Sequence, residues 1–320
     1  MSFCDRLIST GSGAAPLTDG SVIQAVSTTG DSTPQQSSYS LDGGNSWTAG
    51  DSDTFIYGLA INGVGNAGVS GGRNNGLQTG DYGASWGGFQ GGYNLTYWGQ
   101  SAISYDGSYK LFTNFQQYWG SLWPSATGYT RITNGTGYFG ACMSHNGQYQ
   151  FGIDANGTRY SRSTDYGATF TNGTLPQSTY RGTMICSGTG QYVIFQSYGW
   201  IYRSTNYGVS FGRIINSLFN DYFSFGDSSY SGQYMYMAIG ANVLKSSNYG
   251  ETWSSITSTV GGFGFYSSVG CNASGSVVAT ADSGSNIKIS TDYGATWVSK
   301  ATTIPSYTRQ HKAVAVNKII

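Results

Sequence analysis

The sequence has 320 residues, with 15 Lys and Arg against 15 Asp and Glu, so its formal charge is zero and only 9% of its side chains are charged. Gly (49 residues) and Tyr (26 residues) are abundant, while Glu251 is the single Glu. Few helix formers beside many turn and β-formers exclude a helical bundle and point to an all-β chain, and the sparse, balanced charge excludes an electrostatic footprint for nucleic acid.

From the N-terminus, Met1–Arg6 is followed by no apolar run of the kind a signal peptide needs, so none is expected. No apolar stretch approaches the roughly 18 residues required to span a bilayer, so membrane insertion is not expected either. DGSVIQA (19–25) is a Gly turn followed by alternating apolar residues, which reads as a strand start. The element recurs as DGSYKLF (106–112), NGQYQFG (146–152), TGQYVIF (189–195), SGQYMYM (231–237) and SGSVVAT (274–280).

About 15 residues after each such start comes an eight-residue box: Ser/Thr, any, Asp/Asn, any, Gly, any, Ser/Thr, Trp/Phe. Its copies are SLDGGNSW (40–47), TGDYGASW (79–86), STDYGATF (163–170), STNYGVSF (204–211), SSNYGETW (246–253) and STDYGATW (290–297). The Asp/Asn positions are Asp42, Asp81, Asp165, Asn206, Asn248 and Asp292, spaced by 39, 84, 41, 42 and 44 residues. The gap of 84 is two periods, so a degenerate copy is expected near 122–130 (LWPSATGYT). Asp or Asn accepts hydrogen bonds from turn amides, Gly supplies a left-handed backbone, and the terminal aromatics (Trp47, Trp86, Phe170, Phe211, Trp253, Trp297) bury apolar area between sheets.

Segments such as WIYRS (200–204), NVLKS (242–246) and NIKIS (286–290) lead into the boxes, giving about four short strands per period. Four strands per 40–45 residues is the period of a propeller blade. The expectation is therefore one β-propeller domain over 1–320, with seven four-stranded antiparallel blades and six as the fallback. AVAVNKII (313–320) has strand character and no box after it, so it is expected to pair with DGSVIQAVS (19–27) and close the ring.

Cys142, Cys186 and Cys271 precede the repeated Gly by four or five residues, which reads as periodic buried thiols rather than disulfides. No CxxC occurs, and His145 and His311 lie far apart, so neither a metal site nor a cofactor is expected.

The boxes resemble the Asp-box (BNR) repeat, and the likeness covers roughly residues 20–300. That family includes sialidases, other glycoside hydrolases, sortilin-type receptors and many viral or phage surface proteins; the GQY strand and STDYGATW box look most like repeats of viral and phage appendages. The resemblance implies boxes on the face opposite an active site. A sialidase site would need an Arg triad, a Tyr activated by Glu and an Asp acid/base. Glu251 lies inside a box and the Arg-Ile-Pro motif is missing, which argues against a sialidase. For a paired-carboxylate glycosidase, Asp53, Asp106, Asp154, Asp221, Asp227 and Asp282 are the candidates, several of them in turn contexts.

The loops opposite the boxes are rich in aromatics. Tyr97, Trp98, Tyr118, Trp119, Trp123, Tyr180, Arg181, Trp200, Tyr307 and Arg309 are the candidate ligand-binding residues, since ring faces stack on sugars and a Tyr/Ser/Asn/Gly surface is adaptable. The functional expectation is a non-catalytic recognition, adhesion or structural component of a virion, phage or extracellular surface, with glycans the favoured ligand. Other surface proteins or copies of the chain within an assembly are the further partners considered. A glycoside hydrolase is the alternative.

Overall fold

The computed structural model describes residues 16–28, 36–51, 58–71, 76–88, 99–113, 122–125, 138–154, 158–175, 182–197, 200–215, 224–260, 268–281, 286–303 and 311–320. Among them the chain is a β-propeller with six four-stranded antiparallel blades and one three-stranded sheet. Most inner strands carry buried apolar residues, and most of the described outer strands are short and exposed. In the blade at 138–174, for example, Tyr138–Met143 is buried throughout while Thr171–Thr174 is largely exposed.

The first blade is built from both ends of the described chain. Its order is His311–Val316, Ile23–Thr28, Ser37–Ser40, Thr48–Ala49. The C-terminal strand takes the inner position, with Ile23 opposite Val316 and Thr28 opposite His311. Asn317 adds to the seam: its side-chain oxygen accepts from the Val22 amide at 2.9 Å, and its own amide donates to the Val22 carbonyl at 3.0 Å. The ring therefore closes by hydrogen bonds between strands almost the full chain length apart, as the strand character of 313–320 led one to expect.

The expected seventh four-stranded blade is not seen among the described residues. At the degenerate repeat, Ser101–Ile103, Lys110–Thr113 and Leu122–Ser125 make a sheet of three strands among the described residues. The fallback count of six matches the complete blades. The segment 122–130 lacks both the Asp/Asn and the Gly at box positions, the residues that form the turn before the outer strand in the complete blades.

Asp292 shows how a complete box works. Its Oδ1 accepts from the Ser290 hydroxyl at 2.7 Å and the Thr296 amide at 2.8 Å, and its Oδ2 from the Thr296 hydroxyl at 2.6 Å. Ser290 Oγ in turn accepts from the Gly294 amide at 2.8 Å. Tyr293 (φ 60°) and Gly294 (φ 82°) are both left-handed, and the Ala295 amide donates to the Asp292 carbonyl, which makes a type I′ turn. Asp42, Asp81 and Asp165 repeat the pattern. Asn206 and Asn248 preserve the turn with one polarity reversed, their side-chain amides donating to the hydroxyls of Ser210 and Thr252.

Sequence reasoning assigned the left-handed conformation to Gly alone. The structure puts a second left-handed residue before it, Tyr82, Tyr166, Tyr207, Tyr249 and Tyr293, with Gly43 in that place in the first box. A side chain there costs about 1–2 kcal/mol. Inter-blade stacking offsets that cost in four copies: Tyr166 on Tyr109, Tyr207 on Tyr149, Tyr249 on Tyr192 and Tyr293 on Tyr234, with ring centroids 4.5–5.1 Å apart. The scarce cations serve the same borders. Arg162 donates to the Tyr207 carbonyl, Arg203 to that of Tyr249, and the Lys245 ammonium lies over both Tyr234 and Tyr293.

The box aromatics pack against apolar clusters shared with the preceding sheet. Trp297 joins Tyr236, Val269 and Cys271, while Phe170 joins Leu111 and Tyr138. Trp86 is buried; Trp47, Phe211 and Trp253 are partly buried against equivalent clusters.

Candidate functional site

Where the inner strands end on the box side, a belt of backbone hydrogen bonds runs from sheet to sheet. Lys318 N donates to Gly63 O, Gly63 N to Tyr105 O, Tyr105 N to His145 O, His145 N to Gly188 O, Gly188 N to Tyr230 O, and Tyr230 N to Ala273 O, at 2.6–3.0 Å. Ala273 N ends the series on the Asp19 carboxylate at 2.9 Å. The belt positions, one from each sheet, therefore ring the mouth of the central channel, and two of them, Gly63 and Gly188, carry no side chain.

Small and aromatic residues adjoin on this rim for a steric reason. A Cβ on Gly63 would lie 2.0 Å from the Tyr105 ring, and one on Gly188 would lie 2.3 Å from the Tyr230 ring. The missing side chains let both tyrosines lean over their neighbours. His145 lies between them, its ring centroid 6.0 Å from Tyr105 in a stacked arrangement and 5.0 Å from Tyr230 in an edge arrangement. Its Nδ1 is buried without a hydrogen-bond partner. Burial, and then the nearby Lys318 charge, pushes the imidazole down to about 3, so it is neutral at physiological pH.

Outside this rim the surface forms a recess of about 610 Å³, lined by Tyr105, His145, Asn146, Gln148, Tyr149, Tyr207 and Tyr230 among others. Inside it, the channel holds a smaller void of about 150 Å³ between the inner strands. Lys318 closes that void from the C-terminal side. Its ammonium lies 2.5 Å from Asp227 Oδ1 and donates to the Ser228 carbonyl at 2.7 Å. Asp227 also accepts from the amides of Ser228 and Cys271. At the other sector of the wall, Gln100 leaves the three-stranded sheet and ties two blades together. Its Oε1 accepts from the amides of Ala141 and Met184, and its Nε2 donates to the Thr183 hydroxyl.

Among the described residues the candidate carboxylates do not assemble into a pair. Asp106 is a turn cap for Ser104 and Ser108. Asp154, fully buried, accepts from Thr158 and the Arg159 amide. Asp227 is held by Lys318. Asp53, Asp221 and Asp282 lie outside the described residues. Cys142, Cys186 and Cys271 are free thiols on inner strands; burial raises Cys142 and Cys271 well above the ordinary thiol value. Among the described residues no cluster of His, Cys, Asp and Glu could hold a metal ion.

Tyr97, Trp98, Tyr118, Trp119, Tyr180, Arg181, Tyr307 and Arg309 also lie outside the described residues, and Trp123 is placed only as part of the strand Leu122–Ser125. Trp200, which opens the expected strand segment WIYRS, begins the strand Trp200–Ser204, packs against the cluster around Phe195 and Tyr202, and carries the Arg213 guanidinium 4.7 Å over its ring. The rim residues were missed. Their signal was present, because Gly63, Tyr105, His145, Gly188, Tyr230 and Ala273 each stand two places before a repeated Gly.

No protein-family model matches the sequence, and no curated protein matches it. Solved structures with the same fold do. Virginiamycin B lyase from Staphylococcus aureus matches with a TM-score of 0.55 at 14% identity, covering 80% of this chain and 85% of that one. YCF48 bound to D1 peptide matches with a TM-score of 0.53 at 13% identity, covering 77% and 82%. A chain of the nidogen/laminin complex matches with a TM-score of 0.53 at 11% identity, covering 72% and 91%. At these identities the likeness establishes the propeller fold alone.

Proposed function

We propose that the chain is a non-catalytic recognition or adhesion propeller of Asp-box type, part of a virion, phage or other extracellular surface assembly, with glycans as its favoured ligands. On this reading the three-stranded sheet is a seventh blade reduced by loss of its box. The observation that carries the proposal is the state of Asp106, Asp154 and Asp227. Each is engaged by internal donors, and the one that reaches the channel is neutralised by Lys318, so among the described residues the candidate carboxylates form no free acid/base pair for glycoside hydrolysis. Low charge and many Tyr, Ser and Asn fit a surface that binds by stacking and neutral hydrogen bonds.

The test is a glycan array probed with the purified chain, with bound spots assayed afterwards for cleavage. Binding with intact glycans supports the reading. Cleavage replaces it with a glycoside hydrolase, and silence from folded protein replaces it with a structural part whose partners are proteins.

A further inference from the structure

We infer that the box-side recess beneath the Tyr105–His145–Tyr230 rim is a binding site for an uncharged saccharide. The inference rests on the glycan-recognition reading, and moves the site from the loop face to the face that the repeat resemblance treats as purely structural.

Three observations carry it. The first is shape. A recess of about 610 Å³ lies within the range of roughly 300–1,000 Å³ typical of small-ligand sites, and here it has room for one or two sugar rings. The second is the character of its walls. The tilted ring pair Tyr149–Tyr207 lines one part and the Tyr105–His145–Tyr230 group another. Tyr230 is 36% exposed, so part of its ring meets solvent. Between these aromatics, Asn146 and Gln148 supply side-chain amides, the groups that bond sugar hydroxyls.

The third is His145, which lines both the recess and the channel void and whose buried Nδ1 no protein group answers; a hydroxyl admitted beside it is a partner of the right kind.

Charge decides the class of sugar. The Asp106 carboxylate is occupied by Ser104 and Ser108, the imidazole is neutral, and the Lys318 ammonium is paired with Asp227. No uncommitted cation among these groups would answer a sialic acid carboxylate, so neutral hexoses and N-acetylhexosamines are favoured over acidic sugars.

The experiment compares the wild-type chain with Tyr230→Ala, Gln148→Ala and the loop-face double variant Trp119→Ala/Trp123→Ala on an array of neutral and sialylated oligosaccharides. Thermal melting of each variant reports its folding. Gln148→Ala changes a surface side chain whose backbone carbonyl, not its amide, supports the box turn, so it keeps the test readable if Tyr230→Ala does not fold. The expected result is wild-type binding to neutral glycans, weakened about tenfold or more by either box-face change and unaltered in the loop-face variant. Binding that survives both box-face changes, or is lost only in the loop-face variant, overturns the inference and leaves the glycan reading standing. A wild-type chain that binds no glycan overturns the glycan reading and the inference with it.

Discussion

The ring of Tyr234 lies 4.5 Å from that of Tyr293, the first following the Gly turn of one blade and the second at the left-handed position of the next blade's box. The contact recurs at three other borders, so it acts as a repeated clasp between neighbouring sheets. It also explains why an aromatic occupies a backbone conformation that glycine adopts more cheaply. A double-mutant cycle of Tyr234→Ala and Tyr293→Ala should give a coupling of about 0.5–1.5 kcal/mol. Additive losses would show that the rings are merely adjacent. Tyr293→Gly alone should be close to neutral, because the lost stacking is compensated by relief at the left-handed backbone.

The box carboxylates set the acid sensitivity. Hydrogen bonds from the Thr296 side chain and amide, then from Ser290, hold Asp292 at about 2, below the ordinary 3.8. At Asp42 and Asp81 burial opposes the same effect, but the bonds from Ser46 and Ser85 win and the carboxyls are again lowered. A folded value below the unfolded one stabilises the native state above the ordinary carboxylate range, and the contribution is lost as pH falls through the folded value. Melting temperature should therefore decline between about pH 4 and pH 2. Asp292→Asn should retain the fold, as Asn206 and Asn248 already do in their boxes, and should shallow that decline. An unchanged pH profile in the variant would remove Asp292 from the acid response.

Ser290 gives a cleaner measure of the box turn because it is buried. Ser290→Ala leaves the Gly294 amide without its acceptor and should cost about 1–3 kcal/mol, read from urea unfolding. A loss within error would mean that another group takes over that amide.

Ring closure rests on the C-terminal strand and its lysine. Lys318 and Asp227 expose only 18% and 27% of their side chains. Burial lowers the lysine value, but the charge and hydrogen bond of Asp227 together with the nearby Cys271 and Cys186 outweigh it, and the net shift is upward. The contribution is thus complete below the ordinary lysine range and disappears as pH rises through the folded value. Lys318→Met strands the Asp227 charge and should cost about 3 kcal/mol, whereas deleting 312–320 removes the innermost strand of the first blade and should destabilise the whole ring. An unchanged melting temperature after the deletion would refute closure through that strand.

The thiols offer a check on the channel. Cys142 and Cys271, buried and raised well above the ordinary thiol value, should resist maleimide at neutral pH in the native protein and react on unfolding. Rapid native labelling at either position would mean that the inner strands are open to solvent.

The sequence by itself determined what is periodic. The Asp/Asn, Gly and aromatic positions of each box are fixed by local turn chemistry that acts within eight residues, so their spacing announced the blades. The strand character of 313–320 likewise identified the closing strand. The missing box at 122–130 marked the irregular repeat, although not the three-stranded sheet found there among the described residues. What only the tertiary structure decided involves residues made neighbours by the ring. Lys318 meets Asp227, and His145 meets Tyr105 and Tyr230, because inner strands converge at one mouth. Arg213 likewise comes to lie over the Trp200 ring, a pairing between two strands of one sheet. Local hydrogen bonds can be read along the chain; which side chains share a channel depends on closure, and closure is a property of all the sheets together.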